Sequence, residues 1–192
     1  MFKKFWNKKI VGLPLFLLVL VNVIITKIYE IILSKLYALN FNICGKQFSI
    51  QKGTIIRYPG NISIGNNVSI GRNVEFFSES KKGRMIIGND SDINKNCQID
   101  FTGNLEIGSN VVISETTVVL THDHGYDPNS KPVKKSLFIE DNVWIGQNVM
   151  ILPNVRRIGE NAIIAAGSIV TKEVLSNTIV GGNPAKFLKK IN

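Results

Sequence analysis

His122 and His124 are the only two histidines in the chain. They stand two residues apart in the segment THDHGYDP, beside Asp123 and Asp127. Histidine is the side chain best poised for proton transfer near neutral pH. A carboxylate that holds one ring nitrogen leaves the other free to accept a proton from a hydroxyl, and Asp123 and Asp127 are both candidates for that role. His-x-His beside carboxylates can also bind zinc, but a hydrolase-type zinc centre here would need a third histidine. The chain has none, so proton abstraction is the stronger reading and no metal is expected. Cys44 and Cys97 have neither metal-ligand spacing nor a disulfide framework.

The elements that must position the histidines are read from a period of six. In residues 139–172, Ile139, Ile145 and Ile151 recur every sixth residue, and Val143, Val149 and Val155 keep the same step. Asn142, Asn148 and Asn154 fall between them. An extra residue at Arg156-Arg157 shifts the phase, after which Ile158, Ile164 and Val170 resume it. Upstream the same step joins Ile62, Val68 and Val74; Ile64, Ile70 and Phe76; Ile87, Ile93 and Ile99; and Ile107, Ile113 and Val119. Six fits neither an α-helix nor an alternating strand. It fits a mainly β solenoid whose coils stack an apolar residue on its equivalents in neighbouring coils. Asn and Gly mark the corners because they tolerate left-handed backbone angles.

Two stretches break the rhythm. Residues 77–84 (FSESKKGR) read as an exposed excursion. The second break follows Val119 and ends at Ile139. Its Gly125, Pro128, Asn129, Ser130 and Pro132 make a protruding loop over 122–137, which leaves the wall at the two histidines.

The charge of +9 and the hydrophobic share of 44% ask for an anionic or lipidic partner. No zinc-finger spacing or aromatic RNA-binding motif accompanies the charge, so nucleic acid is disfavoured. Residues 1–9 carry four lysines among Phe2, Phe5 and Trp6, and an apolar run over 10–25 follows. No small-x-small cleavage site comes after it. Its sixteen residues fall short of the ~20 a crossing needs, and Pro14 and Asn22 interrupt it. Ile24, Ile28, Ile31, Ile32 and Leu39 then share a helical face apart from Lys27, Glu30, Ser34 and Lys35. This composition favours an arm over 1–41 that lies in the cytoplasmic face of a membrane, against a packing arm on a neighbouring subunit or a true crossing. Residues 42–192 form the solenoid domain.

The segments THDHGYDP, NVWIG, AAGSIVTK and VGGNPAK resemble the hexapeptide-repeat acyltransferases, particularly the sugar O-acetyltransferases. The resemblance covers about residues 53–190 and implies a left-handed parallel β-helix of triangular section assembled as a homotrimer. It implies acetyl-CoA as acyl donor, bound between subunits, with a histidine as general base and no acyl-enzyme. His124, followed by Gly-Tyr-Asp-Pro, matches the family's base, with His122 in support. Asn94, Asp100 and Asp127 match acceptor contacts, Asp100 offset by one residue. Trp144, Gly146, Ala166 and Gly167 match the pantetheine channel, and Thr171, Lys172 and Lys186 the nucleotide and phosphate contacts. The implied activity is acetylation of a sugar hydroxyl in a bacterial surface polysaccharide or its lipid-linked precursor. The rivals are another small acceptor (serine, an amino sugar, an antibiotic) and a non-catalytic trimeric scaffold.

Overall fold

The computed structural model describes residues 13–191; the lysine-rich segment 1–9 lies outside the described residues. Three parallel sheets form the sides of a prism. Face A comprises Ile43–Cys44, Ile62–Ile64, Met85–Ile87, Leu105–Ile107, Leu137–Ile139 and Arg157–Ile158. Face B comprises Ser49–Ile50, Ser69–Ile70, Asp92–Ile93, Val112–Ile113, Trp144–Ile145, Ile163–Ile164 and Thr178–Gly182. Face C comprises Ile55–Ile56, Glu75–Phe77, Gln98–Asp100, Val118–Val119, Met150–Ile151 and Ile169–Val170. The chain visits A, B and C in turn, and Ala185–Lys190 closes face B as an antiparallel edge.

The six-residue step is therefore the step from one face to the next: Ile64, Ile70 and Phe76 lie on A, B and C. Stacking then runs between coils. Ile50, Ile70, Ile93, Ile113, Ile145 and Ile164 pair in register down face B, and all are buried. Each such side chain contributes about 1.5–3 kcal/mol of apolar burial, which only a neighbouring coil can supply. Asn67, Asn73, Asn96, Asn110, Asn142, Asn148 and Asn161 turn corners at φ of 54–60°. Asn154, aligned with Asn142 and Asn148 by the period, does not share that conformation. It precedes the inserted residue, and its Oδ1 accepts from Lys135 Nζ at 2.6 Å.

A single helix, Leu13–Ala38, replaces the two segments expected from the sequence. Pro14 is its second residue, where no intrahelical N–H is needed. Asn22, in mid-helix, accepts from the Thr26 hydroxyl at 3.3 Å. One face docks across the first coil. Ser34 Oγ accepts from Ile50 N at 3.0 Å, Tyr37 stacks on Phe41, and Phe41 meets Phe48 edge to face. Much of the remaining surface is apolar and exposed, including Leu18, Val21, Ile25, Ile28 and Ile32, with Lys27 and Lys35 also exposed. By length and composition the helix is apolar enough to cross a membrane.

Both interruptions leave the prism at the edge where face C passes to face A. The first exposes its charged residues, Glu79, Lys81, Lys82 and Arg84, as expected, but its small residues turn inward. Ser78, Ser80 and Gly83 are buried, and a Cβ on Gly83 would lie 2.3 Å from the Phe101 carbonyl oxygen. The second is a two-stranded antiparallel hairpin, His122–Asp123 with Val133–Lys134, with Tyr126 fully exposed at its tip.

Candidate active site

The site is built outward from Asp100, the last residue of its face C strand and fully buried. Its Oδ1 accepts from Thr102 N at 2.9 Å and Thr102 Oγ1 at 2.5 Å. Its Oδ2 accepts from Thr121 N at 2.7 Å and Thr121 Oγ1 at 2.9 Å. The same Oδ2 meets His122 Nδ1 at 2.7 Å. A carboxylate surrounded by donors accepts here too, so His122 carries its proton on Nδ1 and presents a free Nε2. Asp100 thus faces His122 with both oxygens engaged. Asp123 and Asp127, the orienting carboxylates considered from the sequence, turn to other partners. Asp123 Oδ2 binds Lys135 Nζ at 2.7 Å, and that bond holds its carboxyl below the usual value. Asp127 Oδ1 accepts from Asn129 N.

His124 is braced differently. Its Nδ1 lies 2.7 Å from the Ser130 carbonyl oxygen, an atom that can only accept. The proton is therefore on Nδ1 and the lone pair on Nε2. The two rings meet edge to face, with centroids 5.3 Å apart. Glu79 closes the cluster, with Oε1 at 3.6 Å from His122 Nε2 and Oε2 at 3.2 Å from His124 Nε2. The His122 side chain is 9% exposed and that of His124 27%.

Glu79 comes from the first interruption, and its backbone N–H donates to Thr102 Oγ1 at 2.9 Å. Lys134 Nζ, on the hairpin, donates to Ser80 Oγ at 2.6 Å, tying one interruption to the other. Nothing in the spacing of FSESKKGR singles out Glu79. Asp100 had a usable signal: pairing Ile99 with Val119 sets it one coil away from the point where the histidine loop departs.

The remaining residues expected at the site divide between two regions of the prism. Asp127, Thr171 and Lys172 share the C-to-A edge with the histidines. Asn94 lies past the end of a face B strand, with its Nδ2 donating to the Ile113 carbonyl at 3.1 Å. Trp144 is on face B, 53% exposed, and its Nε1 donates to Ser114 Oγ at 3.2 Å. Gly146 and Ala166 stack at the B-to-C corner, where a Cβ on Gly146 would meet Ala166 N at 2.6 Å. Gly167 turns that corner at φ 71°, and Lys186 lies on the closing strand of face B.

Residues 137–172 match the family model described as bacterial transferase hexapeptide (six repeats). A galactoside O-acetyltransferase of Lactococcus lactis is 48% identical over 58 residues, 30% of this chain and 28% of that protein. The chain thus aligns with less than a third of the length of that curated relative. Among solved structures, the N-acyltransferase AntD of Bacillus cereus, in complex with dTDP and 3-hydroxybutyryl-CoA, superposes with a TM-score of 0.73 at 28% identity, covering 82% of this chain and 87% of AntD. The hexapeptide-repeat acetyltransferase VCA0836 of Vibrio cholerae, complexed with acetyl coenzyme A, gives a TM-score of 0.61 at 26% identity over 82% of this chain and 75% of its own. In its repeat over residues 137–172 and in the fold of its prism, the chain is similar to these hexapeptide-repeat and N-acyltransferase proteins.

Proposed function

We propose that the protein transfers the acetyl group of acetyl-CoA to a sugar hydroxyl of a bacterial surface polysaccharide or its lipid-linked precursor. The observation that carries this reading is the pair of histidines with Nδ1 held and the Nε2 lone pair turned toward the exposed Glu79. His124 is the general base, because it is the more exposed of the two and matches the family motif. Its Nε2 takes the acceptor hydroxyl proton as the oxygen attacks the thioester carbonyl. The tetrahedral oxyanion is met by backbone N–H groups. Collapse then expels the CoA thiolate, which recovers the proton from the imidazolium. His122, oriented by Asp100, supports that imidazolium, and Asn94 and Asp127 contact the acceptor.

The donor lies along Trp144, Gly146, Ala166 and Gly167, with Thr171, Lys172 and Lys186 at the nucleotide and its phosphates. The histidine edge and the face B residues belong to different parts of one prism, which supports a homotrimer whose sites form between copies. The arm over 1–41 holds the 42–192 domain at the inner face of the cell membrane. Its docked half, from Glu30 on, is committed to the first coil. Among the described residues that leaves 13–29, fewer than the ~20 a full crossing needs, which favours an interfacial position.

The test is thiol release from acetyl-CoA by the purified full chain across a panel of hydroxyl and amine acceptors, with mass determination of the oligomer. Acceptor-dependent release that vanishes in His124→Ala, with the trimer intact, is the expected result. Full activity in a His122→Ala/His124→Ala double variant overturns the mechanism.

A further inference from the structure

We propose that Glu79, His122 and His124 form a reversible binding site for a divalent transition metal of the zinc class, and that its occupancy silences acyl transfer. The binding claim stands on geometry; the silencing claim rests on the functional reading above.

The three side chains offer one ligand atom each, all within 4.8 Å of one another. A tetrahedral zinc centre with bonds of about 2.0–2.1 Å sets its ligand atoms about 3.3 Å apart. Glu79 Oε1 lies 3.6 Å from His122 Nε2 and Oε2 lies 3.2 Å from His124 Nε2, so a small rotation of the carboxylate brings the set toward that spacing. The second shell is also in place. Metal-binding histidines donate their other N–H to a carboxylate or a backbone carbonyl. Here His122 Nδ1 meets Asp100 Oδ2 and His124 Nδ1 meets the Ser130 carbonyl, each at 2.7 Å.

Charge points the same way. Two imidazole lone pairs and a carboxylate converge, an arrangement that repels itself unless a proton or a cation lies between them. Among the described residues, the ion pairs of Glu79 are those with the two histidines. The hairpin lysines are engaged elsewhere: Lys134 with Ser80, and Lys135 with Asp123 and Asn154. The donors are pre-positioned as well, because Thr102 Oγ1 holds the Glu79 backbone while its own hydroxyl donates to Asp100.

Two imidazoles and one carboxylate select Zn²⁺, Co²⁺ or Ni²⁺ over Mg²⁺ and Ca²⁺. A bound ion would occupy the Nε2 lone pair that must take the acceptor proton. The missing third histidine, which argued against a metal in the sequence, is replaced by a carboxylate from two coils earlier.

The test titrates chelator-stripped full-length protein in detergent with Co²⁺ and reads the visible d–d bands. Expected are one four-coordinate Co²⁺ per chain, displacement by Zn²⁺ and no effect of Mg²⁺. Glu79→Gln, checked for an unchanged melting temperature, should weaken Co²⁺ binding at least about tenfold. It should raise the Zn²⁺ concentration that inhibits acyl transfer by a similar factor, and a chelator should restore the wild-type activity. A Co²⁺ spectrum that stays that of the hydrated ion, or equal affinity in wild type and Glu79→Gln, overturns the site. Glu79-dependent Co²⁺ binding by a protein that transfers no acyl group would keep the site and reject the catalytic reading. Acyl transfer without Co²⁺ binding would do the reverse.

Discussion

Asp100 and His122 sit on successive coils, separated by 22 positions along the chain, yet Asp100 Oδ2 and His122 Nδ1 are 2.7 Å apart. That bond joins a strand end, which the repeat holds rigidly, to the first residue of an irregular hairpin. It is the point at which the stacked coils dictate the geometry of the chemistry.

Removing the two histidines separately should give unequal effects. His124→Ala is expected to lower kcat about 10²- to 10⁴-fold, the range for loss of a general base. His122→Ala should cost less, because it removes a supporting ring. Steady-state kinetics with KM for acetyl-CoA as the control checks this; equal KM values with the larger kcat loss at His122 would transfer the role of base to His122.

Asp100→Asn should damage fold and activity together. The amide would point a donor at Thr102, Thr121 or His122, leaving a buried polar conflict worth about 1–3 kcal/mol. The melting temperature should fall, and the kcat loss should not add to that of His122→Ala, since the two act as a unit. Additive losses in a double-mutant cycle would contradict the coupling.

Shortening the arm should separate anchoring from folding. Deleting residues 1–26 removes apolar helix that touches little of the prism, so the protein should leave the membrane fraction with its melting temperature held. Deleting 1–39 strips Ser34 and Tyr37 from the first coil and uncovers Ile50. That variant should melt lower or aggregate. Full-length protein that fractionates as soluble without detergent would remove the case for an anchor.

Gly83→Ala should act on the site from a distance. Its Cβ would be 2.3 Å from Phe101 O and 2.6 Å from Ser78 Oγ, too close unless the 78–84 segment moves. Glu79 would move with it. Co²⁺ binding should weaken while the far coils keep their stability, readable as a changed exchange profile confined to this segment.

Glu140 supplies a pH prediction. Its bonds from Arg157 hold its carboxyl below the ordinary value of 4.5. A depressed carboxylate stabilises the fold above its unfolded-state pKa, and that contribution is lost as pH falls through the folded-state value. Between neutral pH and about 5 the contribution should be flat, and it should decline below about 4.3. Glu140→Gln should melt lower than wild type at pH 7, with the gap narrowing in acid. The side chain is 34% exposed, so the effect is a small one.

The six-residue period determined the coil by itself, because apolar side chains at that step can be buried only if successive units turn onto successive faces. Ile64, Ile70 and Phe76 carry that information locally. The same local record marked His122 and His124, as the only histidines, at the point where the rhythm stops. It did not distinguish Asp123 or Asp127 from Asp100 as the orienting carboxylate, since proximity along the chain favoured the wrong pair. Only the stacking of coils decided that, by setting Asp100 one rise away from the loop. Glu79 and the inward turn of Ser78, Ser80 and Gly83 were likewise decided in three dimensions. Their positions follow from close packing at Gly83 and from hydrogen bonds to Thr102 and Lys134, contacts between segments whose separation along the chain has no period to reveal it.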